Sequence, residues 1–144
     1  MGRGLDVIAD EAFTDIDYGE WTEYWDTEAR RKFGDQYRQW KESPHLVKFA
    51  GGEALDDVRR RAVPRLMELA QRHMEETIAL VSHRVVLKLL LCEAKGLDSS
   101  HFWAVRLDTA AISVLEYSNG TLRAAVENDT RHLRDLTDKK SEDF

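Results

Sequence analysis

The stretch IALVSHRVVLKLLL, residues 78 to 91, constrains this chain more than any other. Four apolar residues of strand character, Ile78 to Val81, run into Ser82, His83 and Arg84, and an apolar run long enough for a helix follows with no turn residue between. A handover of this kind predicts an α/β fold in which a small sheet is covered by helices. The helix is expected from Val85 to Lys95, closed by Gly96, and buried because it is apolar almost all round. Ser82, His83 and Arg84 then occupy a loop at the carboxyl end of a strand, where open α/β sheets bind ligands. Free N–H groups and partial positive charge at the helix N-terminus favour an anion such as phosphate there, and Arg84 adds a forked donor that matches phosphate oxygens. A histidine at a strand end is also often only a structural hydrogen-bonding residue, so the local pattern leaves both readings of His83 open.

On the N-terminal side, Trp21, Trp25, Phe33, Tyr37 and Trp40 recur at roughly helical intervals, predicting one or two helices between Glu20 and Lys41. Pro44 and the Gly51-Gly52 pair punctuate a loop, after which Asp56 or Asp57 is expected to cap a helix carrying Val58, Ala62, Leu66, Leu69 and Ala70 on one face. Pro64 falls within that helix and should kink it or mark a restart. Beyond the buried helix, AAISVLEYS and TLRAAVEN flank Asn119-Gly120, the dipeptide that most strongly signals a β-hairpin. At 144 residues the chain is about one domain's worth. A charged tail, DLTDKKSEDF, is expected to fray.

Charge and composition exclude several classes of function. Basic and acidic residues number 21 and 27, a net charge of −6, and the basic ones are scattered rather than striped, which argues against a nucleic-acid partner. The longest apolar run is too short to span a bilayer, and the N-terminus lacks the apolar core of a secretory signal, so no membrane partner and a cytoplasmic location are expected. Asp6 stands where a myristoylation motif needs Ser or Thr. Cys92 is the only cysteine, and within an apolar helix it reads as a buried, inert thiol. No His/Cys cluster with metal-ligand spacing is present, so neither a metal nor another cofactor is expected.

Four fragments in order, FTDIDYGEW, GGEALDDVRRR, LVSHRVVLKLLLCEAKGL and LEYSNGTLRAAVENDTRHL, make the chain resemble the histidine phosphatase superfamily, also called phosphoglycerate-mutase-like. The resemblance implies a partial phosphoglycerate-mutase-like fold with a C-terminal β-hairpin, and hydrolysis of phosphomonoesters through a phosphohistidine. His83 matches the family's second histidine, which binds the phosphate, and Arg84 replaces the usual glycine after it. Asp15, four residues before Gly19, matches the proton donor to the leaving oxygen, where the family usually carries Glu. A small phosphorylated molecule or phosphate is the implied partner.

The family's nucleophile lies in an Arg-His-Gly motif, and no Arg-His-Gly occurs in this sequence. His45, His73, His101 and His132 do not resemble it; the last three are expected to be solvated, loop or structural residues. By this resemblance the chain begins near the end of the family's second helix, without the first strands. Three readings follow: a phosphomonoesterase or fragment of one, a non-catalytic anion- or partner-binding remnant, and an incomplete reading frame. The family's central strand being absent, strand edges should be uncovered and the chain should self-associate, most simply as a homodimer. His83 is expected to face an open crevice at the end of the strand, with Asp15 pointing toward it.

Overall fold

The computed structural model describes residue 4 and residues 6–133; the expected fraying of residues 135–144 lies outside the described residues. Its elements are four α-helices, α1 (Asp26–Lys32), α2 (Gly34–Glu42), α3 (Leu55–Arg72) and α4 (Arg84–Ala94), followed by an antiparallel pair of strands, β1 (Ile112–Ser118) and β2 (Thr121–Asp129). Short 3₁₀ turns punctuate the chain at Glu11–Phe13, Gly19–Trp21, Pro44–Leu46, Ser99–His101 and Arg131–Leu133. No helix among the described residues is long and apolar enough to cross a membrane.

Helix α4 forms the floor of the molecule. Val85, Val86, Leu89, Leu90, Leu91 and Cys92 are all buried, as an all-round apolar helix requires. Lys88 is buried with them at 1% exposure, its ammonium lying 4.5 Å and 4.6 Å from the ring centres of Phe102 and Trp103, whose faces offer it negative charge. The helix ends in a Schellman arrangement: Gly96 adopts φ +66°, Gly96 N–H donates to Glu93 C=O and Leu97 N–H to Cys92 C=O. Burial pushes the Cys92 thiol up, consistent with an inert side chain.

Helix α3 packs across α4 through Leu55, Val58, Ala62 and Leu66. Ala54, not Asp56 or Asp57, is its N-cap; Asp57 stands in the first turn and its carboxylate accepts from Ala54 N–H at 2.8 Å. The helix runs unbroken through Pro64, so the expected restart does not occur. Phe49 joins the aromatic helices to this layer, packing edge-on against Tyr18, Trp21 and Trp40, while Trp21 stacks on Phe33 with ring centres 5.1 Å apart. Trp25, spaced like the others, is 80% exposed and lies outside this cluster. The hairpin turns at Asn119 (φ +50°) and Gly120 (φ +75°), the two left-handed positions of a type I′ turn, and lays Leu122, Leu115 and Ala124 onto the core.

The strand expected at residues 78–81 is not formed as part of a sheet. Residues 77–83 are irregular, and among the described residues no backbone N–H or C=O of residues 77–82 bonds to another backbone group. A strand exists only by pairing, and among the described residues no other strand lies beside this one. Val81 is 92% exposed in consequence, although the helix it feeds is the most buried in the molecule.

Two loops approach each other so closely that only glycine fits. A Cβ on Gly19, at φ +53°, would lie 2.0 Å from Ala50 O, and one on Gly52 would lie 2.3 Å from Asp17 O. Gly19→Ala should therefore destabilise the protein by about 2–4 kcal/mol, read as a lowered urea midpoint, because the clash falls on backbone atoms that must move as a loop. Gly34→Ala, where a Cβ meets nothing within 4 Å, is the control and should be close to neutral.

Candidate functional site

The loop before the first aromatic helix is built by one arginine and one glutamate. Arg61 projects from α3 beside the buried face formed by Val58 and Ala62. Its Nη1 donates to Ala12 C=O at 2.8 Å and its Nη2 to Asp15 C=O at 3.0 Å, while Nε reaches Glu53 Oε1 at 2.8 Å. Glu53 Oε2 accepts from Asp17 N–H at 3.0 Å, and Glu53 N–H donates to Asp17 C=O at 2.8 Å. Residues 12–17 are thus tied to α3 and to the glycine loop, and Asp15 is carried on them. Its Oδ1 accepts from Ile16 N–H at 2.9 Å, leaving Oδ2 turned outward.

The opposite wall is the start of α4. Ser82 Oγ donates to Phe13 C=O at 2.7 Å, stitching the junction to the loop that carries Asp15. His83 is the helix N-cap in extended conformation, and its C=O accepts from Leu87 N–H at 3.0 Å in the first helical bond. Its Nδ1 lies 3.6 Å from Asp15 Oδ2, too long for a direct hydrogen bond but close enough for ion pairing when the imidazole is protonated. Both side chains are open to solvent, His83 57% and Asp15 45% exposed. Arg84, half-buried, begins the helix and acts electrostatically on both Tyr18 and Asp108. Tyr18 is half-buried: burial above all, and then the nearby charge of Asp15, hold its hydroxyl protonated, while Arg84 opposes them.

The structure therefore brings Ser82, His83, Arg84 and Asp15 to one face. It leaves the other histidines elsewhere. His73 caps the C-terminus of α3 and pairs with Glu76, and His101 lies in a 3₁₀ turn against Asp98. His132 sits in the turn after β2 near Asp129, and the Nδ1 of His45 is buried without a hydrogen-bond partner among the described residues. Two surface depressions, one along α2 and one at residues 17–24, are lined by neither His83 nor Asp15. Among the described residues no group of three or more His, Cys, Asp or Glu side chains converges as a metal site. Arg61, Glu53 and Tyr18 were not singled out from sequence. For Arg61 the helical period offered the signal, since it stands next to the buried position 62 and one turn from the buried position 58.

A sequence profile described as histidine phosphatase superfamily, branch 1, matches residues 1–130. The chain belongs to that family. Phosphoserine phosphatase 1 of Hydrogenobacter thermophilus is 36% identical over 113 residues, which are 78% of this chain and 54% of that protein. A 2,3-bisphosphoglycerate-dependent phosphoglycerate mutase of Brucella melitensis is 32% identical over 109 residues, 74% of this chain and 52% of the mutase. This family member thus spans about half the length of these two relatives. Among solved structures, YhfR of Bacillus stearothermophilus superposes with a TM-score of 0.87 at 30% identity, covering 92% of this chain and 66% of YhfR. The histidine phosphatase fold is accordingly the α/β architecture in which the helices and hairpin are set.

The Arg61 bond holds Glu53 below its ordinary value of 4.5, helped by Asp17 N–H and opposed by burial. A carboxylate with a depressed folded-state pKa contributes stability that is fully present above its unfolded value and is lost as pH falls through the folded one. Glu53→Gln should thus cost about 1–2 kcal/mol at pH 7, and the difference from wild type should shrink once the pH drops below the ordinary carboxylate range. Thermal melts of both proteins across an acid series check the sign.

Proposed function

We propose that this chain binds phosphomonoesters at the Ser82-His83-Arg84 junction and supplies the phosphate-holding and proton-donating half of a phosphohistidine phosphatase site. The 3.6 Å approach of His83 Nδ1 to Asp15 Oδ2 carries this conclusion. An imidazole at a helix N-terminus, next to an arginine, suits a phosphate dianion. A carboxyl one contact away suits delivery of a proton to the leaving oxygen of the same ester. The relatives' names, a phosphoserine phosphatase and a phosphoglycerate mutase, support a small phosphorylated molecule as ligand. We place this binding in the cytoplasm, which suits a lone reduced thiol.

Hydrolysis by this chain alone is a different matter. The sequence contains no Arg-His-Gly, so no imidazole corresponds to the one that attacks phosphorus in the family. Losing a covalent step costs on the order of thousands-fold in rate. The purified chain is expected to bind inorganic phosphate in a calorimetric titration, with His83→Ala weakening it by about tenfold or more. Turnover of p-nitrophenyl phosphate should stay near background. Robust hydrolysis that His83→Ala abolishes would overturn the half-site reading, and phosphate binding untouched by His83→Ala would overturn the binding site.

The uncovered apolar residues also bear on assembly. Val7, Ile8, Ile78 and Val81 are exposed, and burial of apolar area is favourable by roughly 25 cal/mol per Å². We infer that, with nothing else on this surface, the isolated chain self-associates, as a homodimer at micromolar concentration. Sedimentation velocity checks it: a clean monomer that binds no hydrophobic dye would rule it out.

A further inference from the structure

On the phosphate-site reading given above, on which this rests, we propose that Asp108 is a fixed counter-charge to Arg84, a carboxylate set beside the Ser82-His83-Arg84 junction that keeps its grip on anions moderate. Asp108 stands on the connection between α4 and β1, next to the buried Leu107. Leu107 belongs to one apolar group with Leu91 and Cys92 of α4, and Leu87 packs against that group. Leu87 follows Arg84 by three residues, so the two share a face of the helix, and the packing of Leu107 sets Asp108 near that face. The charge of Arg84 accordingly acts on the Asp108 carboxyl.

The hairpin holds Asp108 in place. Asn128 Oδ1 accepts from Asp108 N–H at 2.7 Å, and Asn128 Nδ2 donates to Asp108 Oδ2 at 3.0 Å. Asn128 is itself left-handed, at φ +51°, where the pairing of β1 with β2 is irregular, and its N–H donates to Ser113 Oγ at 3.1 Å. From the other side Arg106 donates to both carboxylate oxygens, Nη2 to Oδ2 at 2.7 Å and Nε to Oδ1 at 3.2 Å. The Arg106 bonds first, and the Asn128 bond second, hold the Asp108 carboxyl below its ordinary value of 3.8 against the effect of burial, so it stays charged at neutral pH. Arg106 is 76% exposed and its charge is spread into water, whereas Arg84 is half-buried and feels the carboxylate more fully. A fixed negative charge in that place opposes the attraction of the helix N-terminus and of the guanidinium for a phosphate dianion, and does so without occupying the site.

Calorimetric titration of the full chain with inorganic phosphate tests this. Asp108→Asn keeps the size and hydrogen-bonding capacity of the side chain and removes its charge, and should lower the Kd for phosphate by about threefold or more at low salt. The gain should shrink in high salt, where Coulomb interactions are screened. Asp108→Ser, a second uncharged variant, should tighten binding in the same sense. Asp35→Asn, at an exposed carboxylate of α2, makes the same change in net charge and should leave the Kd where it is. Binding that both Asp108 variants leave unchanged or weaken, a gain that is as large in high salt, or an equal gain from Asp35→Asn would each overturn the counter-charge. If His83→Ala weakens binding in the same titrations, the phosphate site stands whichever way Asp108 falls. Phosphate binding that is absent from both wild type and Asp108→Asn, or untouched by His83→Ala, would overturn the site and the counter-charge together.

Discussion

The guanidinium of Arg61 is the contact on which the candidate site depends. It reaches from a helix fixed in the core to two carbonyls of an irregular loop and to the one carboxylate that holds the rest of that loop. Loops have few internal bonds of their own, so their geometry is set by whichever rigid element satisfies their polar groups. Here that element is α3. The planar donor fork explains why an arginine fills this role: a lysine ammonium does not engage the carboxylate side-on while also bonding two carbonyls.

From this anchor the two walls of the site meet by different means. Asp15 arrives on a loop whose backbone is clamped from below, whereas His83 arrives at the head of a buried helix whose position is set by apolar packing. Ser82 is the direct stitch between them. The carboxylate and the imidazole are thus positioned by separate parts of the core, one polar and one apolar, and their approach of 3.6 Å reports how well those parts fit together.

What the sequence disclosed and what it hid divide along physical lines. The buried α4, its Gly96 closure and the Asn119-Gly120 turn were legible because each rests on local chemistry: all-round apolarity, a left-handed cap, and two adjacent positive-φ residues. The pairing of Asp15 with His83 came from the family resemblance, not from periodicity. Residues 78–81 read as a strand and are not one, because strand character is a property of the run while strand formation belongs to a partner elsewhere. The N-cap of α3 was misplaced by two residues or more because an aspartate also serves inside the first turn, where Asp57 reaches back to the N–H of the N-cap residue Ala54. Trp25 shared the helical spacing of its aromatic neighbours but stands on the outer side, since Trp21 lies in a 3₁₀ turn with a different period.

Gly19 and Gly52 close on one another's loops, each lacking a side chain where the other's neighbour has a carbonyl. Neither position is therefore free to drift alone. A side chain at either position would have to push the loops apart, and Gly19 would still be needed for its left-handed backbone at φ +53°. The two glycines, more than thirty residues apart in the chain, thus set a single spacing between the loops, and a side chain at either one would also disturb the Asp17–Glu53 contacts that hold the loop of Asp15.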